Sequence, residues 1–267
     1  MDSDYIQTVR FIYMNIFYSE MTIITALFVS VVLVSCSNDE GDEKIGASSS
    51  KHIVREIYDD GRNIVMTEYF YASRGRVIKT NETEADSRGT KSATSTYTYG
   101  EGTIISQTKG DWNNGEVHTY TLSDGIVSKE IIRVGQEHNN NDYYYDSDGH
   151  IKTKKFYGGA NNGELQFSWS DGVIKQYTKH WNNDSDTYTY TISYSNIPWP
   201  KNFIFYWKGT DMDAVLEPLG AWGKMPKYLP VKFERSDGSV FSVDYVIENG
   251  MVTKVIFDSE THVLEWE

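Results

Sequence analysis

Five aromatic residues, Tyr97, Tyr120, Tyr143, Phe167 and Tyr190, recur at near-equal intervals in this sequence. Rings in a regular row can stack on successive units of a sugar polymer. If each ring belongs to one β-hairpin, strands about 4.8 Å apart place successive rings about 10 Å apart, close to a disaccharide repeat. The residues expected opposite them include Ser106, Lys129 and Gln176, which are polar and suit a wet binding face. The simpler reading of the same row is the apolar stripe of a sheet. Trp112 with Asn113 and Trp181 with Asn182 add aromatic and amide groups in Asn-rich segments expected at loop tips, a second candidate ligand surface. Turn chemistry is the simpler account of the asparagines, because Asn tolerates the left-handed backbone region.

Other chemistry is sparse. Six histidines are scattered without an HExxH pattern, and one cysteine offers no partner for zinc. There is no GxSxG elbow, no phosphate-binding glycine loop and no dinucleotide fingerprint. Asp146 with Asp148 and Asp184 with Asp186 could contribute to a calcium site, but no complete loop spacing is present and surface turns are expected. No metal, cofactor or enzymatic activity is expected. The net charge of −13 without a basic block argues against nucleic acid and against electrostatic docking on anionic lipid.

The elements that carry these residues follow from the turns. Gly102, Gly125, Gly149 and Gly172 are spaced by 23, 24 and 23 residues. Asp-Gly or a similar pair in a two-residue loop favours a type I′ hairpin, whose central positions need φ > 0. The pairs expected across the strands are Tyr99/Ile104, Leu122/Val127, Trp169/Ile174 and, in a fifth unit with Ser195 in the glycine place, Ile192/Ile197. In the longer Gly149 unit, Tyr143 and Tyr145 take the aromatic places. Weaker copies are expected at Gly75 (Phe70, Val77), Gly238 and Gly250. Thr and Ser alternate with the apolar residues, so one face is apolar and the other wet. All five prolines fall between Pro198 and Pro230, where the repeat stops. Within that interruption, Thr210 or Asp211 is expected to cap one or two helical turns over about 210–220, covering an edge or open end of the sheet.

The amino-terminal stretch reads differently. Thr22 to Val34 is a mostly apolar run of 13 residues, shorter than the roughly 20 that a membrane-spanning helix needs. It suits the core of a signal peptide. It ends in Leu33-Val34-Ser35-Cys36, which resembles a bacterial lipobox and implies lipidation of Cys36. Only Arg10 supplies positive charge ahead of the run, so Met14 and Met21 are candidate starts. The following SNDEGDEKIGASSS resembles the surface-export signal of Bacteroidetes lipoproteins and also reads as a solvated tether.

The hairpins resemble the YD-repeat style of bacterial surface proteins. From about Ile53 to the end, with GKMPKYLPVKF at Gly223–Phe233, the chain is similar to a family of uncharacterised Bacteroidetes lipoproteins described as having a porin-like fold. That resemblance implies a curved sheet of many strands and carries no functional residue with it.

The expected protein is therefore all-β. A long antiparallel meander of ~23-residue hairpins forms a curved sheet or partial barrel, with a short helical insertion near 210–220. Residues 1–35 form the signal peptide, 36–50 the acidic, Ser-rich tether and 51–267 a single β-repeat domain. Its outer face, rich in Thr and Ser, does not suit a barrel in lipid. The expected function is a non-catalytic outer-membrane lipoprotein, exposed at the cell surface, that binds a glycan or other extracellular polymer. The alternative is an envelope scaffold whose partner is a protein.

Overall fold

The structure, a computed structural model, describes residues 51–267 except 73, 74, 113, 159–161, 183–186, 206, 209 and 211. The signal peptide, Cys36 and the whole tether lie outside the described residues, as do Asn113, Asp184, Asp186 and Asp211.

Among the described residues sixteen strands follow one another. The first are β1 (Ile53–Asp59), β2 (Ile64–Tyr71), β3 (Val77–Asp86), β4 (Gly89–Gly100), β5 (Thr103–Gly110) and β6 (Val117–Ser123). Next come β7 (Ile126–Val134), β8 (Glu137–Tyr145), β9 (Ile151–Tyr157), β10 (Gly163–Ser170), β11 (Val173–Trp181) and β12 (Thr187–Pro198). After an insertion the series ends with β13 (Tyr228–Arg235), β14 (Val240–Glu248), β15 (Met251–Phe257) and β16 (Glu260–Trp266). Each strand pairs antiparallel with the next. β16 pairs back on β1, with Glu56 opposite Leu264 and Tyr58 opposite His262, so the meander closes into a barrel. Among the described strands, closure leaves no sheet edge exposed to pair with another chain.

The expected turns form at Asp124-Gly125 (φ 52° and 83°), Asp171-Gly172 (56° and 77°) and Asn249-Gly250 (53° and 78°). Both central residues have positive φ, as type I′ loops require. Tyr99 faces Ile104, Leu122 faces Val127 and Trp169 faces Ile174. In the longer unit Tyr145 faces Ile151. The Gly75 hairpin has the same longer turn, with Ala72 N bonded to Arg76 O as Asp146 N is to His150 O. There Tyr71, not Phe70, faces Val77, and Phe70 is left on the outside.

Two expectations of register fail, for different reasons. A β-bulge follows the turn in several hairpins. Between β6 and β7, Leu122 opposes Val127 while Thr121 opposes Lys129, which leaves Ser128 as the extra residue. Tyr120 therefore faces Glu130 rather than Lys129. By the same device Phe167 faces Tyr177 rather than Gln176. Only the bulge-free β4–β5 hairpin keeps the expected Tyr97–Ser106 pair. A bulge adds twist and turns the next residues to the opposite face. The fifth hairpin does not form. β12 runs on past Ser195, and Ile192 faces Phe233 of β13 instead of Ile197. Ser195 lacks the freedom of glycine at positive φ; its hydroxyl instead donates to Leu229 O at 3.0 Å and accepts from Ile197 N at 3.1 Å.

Aromatic and branched side chains fill the inward face, while Thr96, Thr98, Thr121, Gln166, Ser168 and Thr191 stand exposed on the outward face. A barrel in a bilayer needs an outward apolar band. Among the described strands the exposed large apolar residues, such as Phe70, Ile105 and Tyr157, are scattered.

A sixteen-stranded barrel is wide enough to leave a channel. Here the segment 199–227 fills one end. Its backbone bonds to the hairpins that line that end: Val127 N to Ala221 O at 2.7 Å, Lys224 N to Gly149 O at 2.9 Å and Lys227 N to Gly172 O at 2.9 Å. The approach at Gly223 is so close that a Cβ there would lie 2.4 Å from Gly149 O. Trp222 packs on the rings of Tyr120 and Tyr143, and Trp207 packs edge-on against Phe233. The helical insertion is a 3-10 segment, Ala214–Leu219. Its cap is Asp213, not Thr210 or Asp211 as expected; the Asp213 carboxylate accepts from Val215 N at 3.1 Å. Thr210 is already engaged, since its hydroxyl donates to Trp207 O and its carbonyl accepts from Lys154 Nζ.

Candidate functional site

The five recurrent rings lie inside the barrel. Tyr97, Tyr120, Tyr143, Phe167 and Tyr190 are all buried, together with Tyr69 of β2. They form an interior belt rather than a row on an exposed groove. The intervening strands contribute Glu56, Thr80, Ser106, Glu130, Lys154 and Tyr177, which are also buried. The bulges turn Glu56, Glu130 and Lys154 inward, and a count of alternate residues along the strand misses them.

Two parts of this belt repeat one arrangement. On β7, Glu130 Oε1 meets His118 Nδ1 at 2.8 Å, and Oε2 accepts from Tyr143 Oη at 2.6 Å and from Asn141 Nδ2 at 2.7 Å. On β1, Glu56 Oε1 meets His262 Nδ1 at 2.6 Å, and Oε2 accepts from Tyr69 Oη at 2.8 Å. In both sets the tyrosine stands 13 residues after the glutamate. That spacing was the available signal in the sequence. The second nitrogen of His118 lies 2.5 Å from Glu116 Oε1, so both ring nitrogens face carboxylates, as suits an imidazolium. Burial pulls the His118 pKa down, but Glu116 and Glu130 outweigh it and hold the ring up at about 10. Burial raises the Glu130 pKa, yet His118, Lys154 and Tyr143 bring it below the usual carboxylate value.

The same belt anchors the plug. Lys154 Nζ donates to Thr210 O at 3.1 Å, Tyr177 Oη donates to Lys208 O, and Tyr120 Oη donates to Asp213 Oδ2 at 2.9 Å. Glu217 accepts from Phe205 N at 2.9 Å and from the Trp207 indole; its burial pushes its pKa well above the ordinary range.

The expected tip residues are placed differently. Trp112 is half-buried and its indole bonds to Glu82. Trp181 ends strand β11 half-buried, edge-on to Tyr188 and beneath Lys179 Nζ. Asn182 is exposed in the following turn. The Asn-rich stretch His138–Asp142 lies within β8, where Asn141 is buried against Glu130. Asp146, Asp148 and His150 come together at the β8–β9 turn. There the Asp146 carboxylate accepts from Asp148 N, His150 N and His150 Nδ1, which makes it a cap for its own turn.

At the end away from the plug contacts the interior opens into a cavity of about 380 Å³, within the roughly 300–1,000 Å³ range of small-molecule sites. Tyr58 and Trp207 line it together with Glu56, Glu82 and Glu260. Lys208 and His262 complete the polar lining. Lys208 Nζ is 3.8 Å from Glu260 Oε1 and sits over the Phe257 ring. Burial and the neighbouring charges of Glu84 and Glu56 raise the pKa of Glu82. Burial, helped by Glu260, Asp60 and Asp59, pushes the Tyr58 phenol up to about 12. This end is thus an acidic, ring-lined mouth.

No family model matches the sequence, and no curated protein matches it. Solved structures do match. A porin-like protein from Bacteroides uniformis superposes with a TM-score of 0.64 at 17% identity, over 80% of this chain and 98% of that one. A porin-like protein from Bacteroides vulgatus gives 0.58 at 14% identity, over 81% and 99%. At these identities the likeness is one of fold: the chain shares the porin-like barrel architecture of those Bacteroides proteins.

Proposed function

We propose that the protein is a non-catalytic, lipid-anchored outer-membrane lipoprotein, exposed at the cell surface, whose barrel stays in water and binds a glycan at its acidic mouth. The cavity carries this reading. Two aromatic side chains, Tyr58 and the plug's own Trp207, stand beside carboxylates in a space of about 380 Å³. Rings beside hydrogen-bonding carboxylates suit a polyhydroxylated ligand with apolar faces. The buried acid–base groups, Glu130 with His118 and Glu56 with His262, are bonded to their neighbours and serve the architecture in this reading. The polar outer face and the plug favour anchorage through Cys36 over insertion of the barrel into lipid.

A glycan array beside a pull-down from envelope extracts tests the binding. Wild type is expected to retain saccharides and Tyr58→Ala to lose them. A stable protein partner with no saccharide signal would replace this reading by that of an envelope scaffold. For the anchor, Cys36→Ala should leave the membrane fraction; unchanged fractionation refutes lipidation.

A further inference from the structure

We propose that the mouth cavity selects an amine-bearing saccharide, an amino sugar with a free ammonium group, and that Glu82 is the residue that pairs with it. This deepens the glycan reading and rests on it. The three carboxylates of the cavity differ in what they already hold. Glu56 is bonded to Tyr69 and His262, and Glu260 lies beside Lys208. Glu82 is bonded to the neutral indole of Trp112, and its charged neighbours are Glu56 and Glu84, both of its own sign. Among the described residues no cation pairs with it.

A carboxylate held half out of water without a counter-charge is costly, and an arriving cation recovers that cost. An ammonium here would also lie near the rings of Tyr58 and Trp207, which line the cavity and whose electron density attracts cations. A neutral sugar would leave Glu82 uncompensated, and an acidic sugar would meet three carboxylates against one lysine. Selectivity thus comes from repulsion as much as from attraction. Trp112, which sequence patterning places on a tip, becomes the neutral neighbour of Glu82.

The test is calorimetric titration of the full-length, detergent-solubilised protein near neutral pH with a glucosamine trisaccharide and with its fully N-acetylated counterpart. The free amine should bind about tenfold tighter or better, a difference of about 1.4 kcal/mol. Glu82→Gln should abolish that preference, while Glu248→Gln, at an exposed carboxylate at the plugged end, should keep it. Circular dichroism and melting establish that both variants fold. Equal affinity for the two saccharides, or a preference that survives Glu82→Gln, overturns the amine selectivity and leaves the glycan reading standing. If neither saccharide binds and the array is blank as well, both readings fall.

Discussion

The plug and the mouth of this barrel treat their interior carboxylates in opposite ways. Within the plug segment Asp213 caps the 3-10 segment and accepts from Tyr120, and Glu217 accepts from Phe205 N and Trp207, so both buried acids are tied into the packing. At the mouth Glu82 faces Glu56 and Glu84 with only an indole as its partner. Buried polar groups that support a fold are satisfied within it. A carboxylate left with like charges in an open cavity is instead a candidate for satisfaction by a ligand. The contrast separates what stabilises the barrel from what it offers to solvent.

The largest test of that contrast removes the plug's anchor. Trp222 is buried between Tyr120 and Tyr143, and Trp222→Ala should cost about 3–5 kcal/mol in urea unfolding. A loss below about 1 kcal/mol would mean that the plug does not support the barrel. Glu130→Ala comes next. It leaves His118 and Lys154 without their shared carboxylate and should cost about 3 kcal/mol.

The same set gives the barrel a pH dependence of defined sign. His118 binds its proton more tightly in the fold, with a pKa of about 10 against an ordinary 6.5. Its stabilisation is complete below about pH 6.5 and is lost as pH rises through about 10. Melting temperature should fall across that window, and His118→Gln should flatten the fall. An unchanged slope in the variant would remove His118 as its source.

Smaller effects sharpen the comparison. Gly125→Ala places a side chain where φ is 83° and no atom lies within 4 Å, so the cost is conformational, about 1–2 kcal/mol. Glu82→Gln should change stability by no more than about 0.5 kcal/mol, because it relieves like charges at the mouth. A loss of several kcal/mol would show that Glu82 belongs to the fold rather than to a ligand site.

Much of the architecture was legible in the sequence because its causes are local. Asp-Gly pairs need positive φ at two positions, and alternation with Thr and Ser needs only period 2, so the hairpins and the wet outer face follow from short windows. The interior belt was half legible. Its rings stand at the repeat spacing, but Glu130 and Lys154 enter it only because bulges shift the register by one residue. The Ser195 unit was misread because a serine that bonds to Leu229 O looks, in the sequence, like another turn position.

By itself the sequence determined an all-β chain of repeated hairpins with one apolar and one polar face, interrupted between Pro198 and Pro230. Those features depend on backbone preferences and side-chain period within about ten residues. Only the tertiary structure decided that β16 returns to β1, that residues 199–227 fill one end, and that Glu82, Trp112, Tyr58 and Glu260 meet at the other. These are contacts between distant parts of the chain. A one-residue bulge, whose signal within its strand is weak, decides which side chains take part in them.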